Sequence, residues 1–128
     1  MEEKAGEVFS IAKDNMPVPG CTISKEVHGG ENGIIYFSLA KNTDISAEIF
    51  SYHKLLIVAE GSLEVYGTNG YRKVLHAGDS VLTSTDIPIG MKTDTGAVYT
   101  EIEIRRSDIM NEAIKAGEVF RLAELVPY

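Results

Sequence analysis

The sequence predicts an all-β domain, a sandwich or barrel of short strands. Apolar and alternating runs recur between turn signals rich in Gly, Asn and Asp, at a spacing of about ten residues. The centre of the chain, Glu48 to Gly90, holds the two clearest runs: Leu55–Ala59, too short and too bounded for a buried helix, and the alternating Leu63–Tyr66. Only Asp108–Lys115 has a helical pattern, with Ser107 as its N-cap.

Taken in order, Lys4–Phe9 reads as a short strand-like opening, and Met16-Pro17-Val18-Pro19-Gly20 as a rigid extended or turn segment. Proline fixes its own φ and restricts the residue before it, so this arm is not a helix. Cys21–Val27 mixes β-branched and polar residues, His28-Gly29-Gly30-Glu31-Asn32-Gly33 supplies a hairpin turn, and Ile34–Leu39 is the return strand. Lys41–Asp44 turns again into the central stretch. There Glu60-Gly61-Ser62 is expected to reverse the chain between Leu55–Ala59 and Leu63–Tyr66. Gly67-Thr68-Asn69-Gly70 turns it once more before Tyr71–Leu75. Ala97–Ile104 closes the set, with Val98, Thr100, Ile102 and Ile104 on one face and Tyr99, Glu101 and Glu103 on the other.

Composition bounds the function. A chain of 128 residues, 44% hydrophobic and 24% charged, supports a single core. A net charge of -7 with 12 scattered Lys and Arg argues against nucleic acid, which needs a clustered basic surface. The longest apolar run, Leu55–Ala59, is far below the ~20 residues that span a bilayer, so no membrane partner is expected. The single Cys21 makes no internal disulfide and has no visible activating partner, and the Met-Glu-Glu start lacks a secretory pattern. A reducing, cytoplasmic setting is the expectation.

Ala59-Glu60-Gly61 followed by an alternating strand, and then Gly78-Asp79, resemble the end of the first and the start of the second cupin motif, G-x5-H-x-H-x3,4-E-x6-G and G-x5-P-x-G-x2-H-x3-N. The resemblance spans roughly residues 34 to 104. It implies a cupin-type double-stranded β-helix, a jelly-roll β-barrel over residues 1–106, with 107–128 as a short C-terminal helix and an arm. It also implies that the motif ligand positions point into the barrel. Counted back from Gly61, the motif glutamate falls on Lys54. The two histidines fall on Glu48 and Phe50, or with the longer spacer on Ala47 and Ile49. Counted forward from Gly78, the last histidine falls on Ile89, or on Thr93 if Pro88-Ile89-Gly90 is the P-x-G. Of these ligand positions only Glu48 offers a suitable donor, and a catalytic metal needs about three. The expected cofactor is therefore none.

In the metal's place an ion pair of Glu48 with Lys54 is expected inside the barrel, with Phe50 and Ile89 filling the remaining space, because a buried charge survives only when paired. The alternative has Lys54 snorkelling to the barrel mouth. Tyr36 and Tyr52 are further candidates for a ligand pocket, as is Tyr99, each offering a ring and a hydroxyl. His53 could serve as an acid or base but by alternation faces away from Glu48 and Phe50; His28 and His76 read as exposed polar residues. Asp79, after Gly78, reads as a turn carboxylate bonding nearby amides, and the pairing of Asp79 with Asp86 as a catalytic dyad is discounted.

Lys4-Ala5-Gly6-Glu7-Val8-Phe9 recurs unchanged as Lys115-Ala116-Gly117-Glu118-Val119-Phe120, starting 111 residues further on. That is one domain's length, as in a duplicated, two-cupin protein. Either the chain is a fragment, or the second copy of the arm serves a neighbouring subunit in a homodimer that buries Val119 and Phe120. The expected function is a metal-free module that binds a small-molecule ligand or serves structurally, alone or beside a second cupin domain. The alternative is a metal-independent enzyme such as a sugar epimerase, which needs an inward histidine.

Overall fold

The computed structural model describes residues 6, 16–28, 33–104 and 116–121, with only the backbone given for 26–28. Within these the architecture is all-β, as the turn spacing predicts. The strands are β1 (Thr22–His28), β2 (Ile34–Leu39), β3 (Thr43–Ile49), β4 (His53–Gly67), β5 (Arg72–His76), β6 (Asp79–Leu82), β7 (Pro88–Thr93), β8 (Ala97–Ile104) and β9 (Val119–Arg121). All pairings are antiparallel. One sheet runs β1-β2-β8-β4-β6-β9, and a second joins β3, β7, the later half of β4, and β5.

The two sheets share β4, and here the expected turn at Glu60-Gly61-Ser62 gives way to a continuous strand of 15 residues. Its first part pairs with β8 and β6, its second with β5 and β7. A bulge between Val58 and Glu60 inserts one residue, and Gly61 bends the strand with a φ of 76°. The inserted residue switches the buried parity from Lys54, Leu56 and Val58 to Leu63 and Val65, so both halves face one core. Gly61 also admits close backbone approach: a Cβ there would lie 2.0 Å from the Gly96 carbonyl oxygen. The hairpin from β4 to β5 does turn where expected. Asn69 and Gly70 both have positive φ, and the Tyr71 amide donates to the Thr68 carbonyl, the type I′ arrangement whose twist matches the strands.

The core lies between the sheets, built of Leu39, Leu56, Val58, Leu63, Val65, Leu75, Val81 and Tyr99, with the Tyr99 ring stacked on Phe37 at 5.1 Å. The expected helix over Asp108–Lys115 and the opening strand over Lys4–Phe9 lie outside the described residues, apart from Gly6. The end of the second arm copy is described, and it serves its own chain: β9 pairs with β6 in the register Val81↔Val119, and Val119 packs against the core. The Gly117 amide donates to the Leu82 carbonyl, and the Tyr71 hydroxyl donates to the Gly117 carbonyl. The half-burial of Val119 thus has an intrachain cause.

Candidate functional site

The end of β3, the start of β4, β7 and β8 converge on a cleft in the barrel. Its two adjoining chambers, with about 20 and 210 Å3 of space open to a water-sized molecule, share Glu48, Phe50, Lys54, Ile89, Met91 and Glu101. The larger has room for a small organic molecule, the smaller for little more than a water. The strands also decide the register left open by the motif spacing. Glu48 and Phe50 line the cleft, whereas Ile49 turns outward at 63% exposure. Ile89 lines it as the cross-strand neighbour of Glu48, whereas the Thr93 hydroxyl donates to the Ser62 carbonyl at 2.7 Å.

Lys54 is turned inward, but its partner differs from the expected one. Its ammonium lies 3.3 Å from Glu101 Oε1 and 3.4 Å from the centroid of the Phe50 ring. The reason is register. Glu101 sits opposite Leu56 on the neighbouring strand, which makes it the diagonal neighbour of Lys54 on the same inward face; Glu48 arrives from the other sheet and is exposed. Glu101 is 2% exposed. Burial raises its pKa, Lys54 opposes the rise, and the charges of Glu103 and Glu48 add to it. Burial, with the charge of Glu101 second, also pushes the Tyr99 phenol well above its ordinary value. Snorkelling of Lys54 is overturned by the same geometry.

The backbone around Lys54 is clamped. Its amide donates to the Thr83 hydroxyl, and its carbonyl accepts from the Thr83 amide. His53, one residue earlier and of opposite parity, donates from Nδ1 to the Thr83 carbonyl at 2.7 Å. His76 is exposed, and its amide donates to Asp79 Oδ2, so Asp79 closes the turn between β5 and β6 while also pairing with Arg121. Asp86 has a φ of 62° and gives its amide to the Phe50 carbonyl, a structural post beside the cleft. Cys21 is free and exposed.

Tyr36 and Tyr52 do not line the chambers. Tyr36 is buried on the opposite face of β2 from Phe37, which does line the larger one. Tyr52 rests at a tilt against Phe50, ring centroids 5.4 Å apart. Sequence reasoning omitted Glu101 and Met91 from the site. The signal for Glu101 was available: it shares a strand face with Tyr99, an unusual place for a carboxylate unless an opposite charge meets it.

The metal-ligand positions of the cupin motifs thus hold a carboxylate, an aromatic ring, an ammonium and an aliphatic chain. Three of these four cannot ligate a cation, and Lys54 itself brings positive charge to the place. Among the described residues no group of three or more His, Cys, Asp or Glu is positioned to hold a metal ion. The residues do not fit the family's metal.

Two sheets joined through a bent central strand, enclosing an inward-lined cleft, define a double-stranded β-helix barrel. No protein-family model and no curated protein matches the sequence. Solved structures do match. A conserved protein of unknown function from Streptococcus pyogenes is similar at 15% identity and a TM-score of 0.74, covering 82% of this chain and 92% of that one. A cupin superfamily protein from Desulfitobacterium hafniense gives 13% identity and a TM-score of 0.72, with 79% and 93% covered. A cupin 2 conserved barrel domain protein from Leptotrichia buccalis gives 22% and 0.68, the match covering 85% of this chain and 47% of that one. The chain has the cupin fold. Among the described residues no helix is long and apolar enough to cross a membrane.

Proposed function

We infer that this cupin barrel is a metal-free module that binds a small molecule in the cleft above Lys54 and Glu101. The observation that carries the reading is the Lys54 ammonium, held by Glu101 and the Phe50 ring on the strand position where the cupin motif has its glutamate ligand. An ammonium fixed in the protein occupies the place of a metal ligand with its charge met by Glu101, and the space beside it stays open to a ligand. The epimerase alternative is weakened because His53 is committed to the Thr83 carbonyl and is absent from the cleft lining. The first test is elemental analysis of untagged protein before and after incubation with manganese, iron, nickel and zinc, followed by a thermal-shift screen of small metabolites. No stoichiometric metal and a saturable shift abolished by filling the cleft (Met91→Trp) are expected; a tightly held metal overturns the reading.

A further inference from the structure

The charges of the cleft do not balance. Among the described residues, Lys54, Glu101 and Glu48 are the ionisable ones lining the two chambers, and the rest of the lining is hydrocarbon, aromatic, thioether or hydroxyl-bearing. The one ammonium is committed to the interior, on Glu101 and over Phe50. Glu48 stands exposed on β3 beside Ile89 and, among the described residues, makes no ion pair. Two carboxylates therefore face one cation that is already neutralised. An anion entering the cleft meets Glu48 first and, among the described residues of the lining, finds no free positive charge behind it. A cation meets Glu48 with attraction, and its charge offsets the negative field that Glu48 casts on buried Glu101. The larger chamber, about 210 Å3, adds an apolar wall of Phe37, Ile45, Ile89 and Met91. The chain's net charge of -7 favours the approach of cations from a distance.

We propose that the cleft selects small organic cations, protonated amines with a short hydrocarbon body, the ammonium held at Glu48 and the body lying against Ile45, Ile89 and Met91. This rests on the binding reading above and names its ligand class. Glu48 supplies charge selectivity at the mouth, and the Lys54–Glu101 pair supplies a polar floor that the ligand need not disturb.

Isothermal titration calorimetry of the full chain with hexylammonium, hexanoate and 1-hexanol tests it, since the three probes share a body and differ in head-group charge. Hexylammonium is expected to bind once per chain, more tightly than the other two. Glu48→Gln, which keeps the size and exposure of the side chain, is expected to weaken it by roughly tenfold without altering the melting temperature. Added salt is expected to weaken it as well. Equal or tighter binding of hexanoate or hexanol, or an unchanged hexylammonium affinity in Glu48→Gln, overturns the cation assignment and leaves the binding reading standing. No binding of any probe overturns the assignment too, and the metabolite screen then decides the binding reading separately.

Discussion

Lys54 shows how a single residue sets the character of the barrel interior. A lysine on the inward face of a central strand is costly to desolvate, and the structure offsets that cost with Glu101 and the Phe50 ring. Truncating it with Lys54→Met leaves a carboxylate buried and unpaired. A loss on the order of 3 kcal/mol is expected at neutral pH, read from urea denaturation; an unchanged midpoint would rule the pair out as a support of the barrel. The pH dependence has a definite sign. Because burial raises the Glu101 pKa in the folded state, the folded chain holds this proton longer than the unfolded chain does. The associated stability is present below the ordinary glutamate value of about 4.3 and is lost as pH rises through the folded value. Relative to the double variant Lys54→Met/Glu101→Gln, the wild type should therefore lose stability between about pH 4 and its folded pKa, a slope measurable by denaturation at stepped pH. A flat difference would sink the assignment of Glu101 as the group that titrates.

At the scale of elements, β4 carries the topology. The bulge near Val58 and the positive φ of Gly61 let one strand of 15 residues serve both sheets. Gly61→Ala combines a disfavoured backbone conformation with a collision against the Gly96 carbonyl. A destabilisation of at least about 2 kcal/mol is expected, with broadened resonances of Ala97 and Ser62. Full wild-type stability would show that the bend tolerates a side chain. This element is also where sequence reading stopped short. The Glu60-Gly61-Ser62 signal reads as a reversal because glycine between two apolar runs usually marks one, while only the partner strands reveal that the chain continues through it. By contrast the Asn69-Gly70 turn was legible, because the type I′ geometry is demanded locally by two adjacent positive φ angles.

For the whole molecule, closure of the sheet edge at β6 depends on the C-terminal arm. β9 adds to β6, the Tyr71 hydroxyl holds Gly117, and Arg121 reaches Asp79. Val119→Asp places a charge against the core and should detach this strand. A loss of about 1–3 kcal/mol is expected, with amide exchange in β6 accelerated more than in β8. Uniform exchange across the barrel would mean that β9 is not a separable unit. The repeat of this arm as Lys4–Phe9 was plain in the sequence, but the partner strand that its second copy chooses was not. From the sequence follow the β-barrel class and, in either motif register, the mismatch between the cupin ligand positions and a metal; the choice of Glu48, Phe50 and Ile89 over Ile49 and Thr93 came from the strand pairing. Motif spacing and strand alternation are local quantities, and they suffice for the class and the mismatch. Only the tertiary structure decided that Lys54 pairs with Glu101 rather than Glu48, that Tyr36 turns away from the cleft, and that β9 closes on β6. Each of these depends on which strands lie side by side and in what register. That is set by the collective packing of two sheets around a shared strand, and no single segment encodes it.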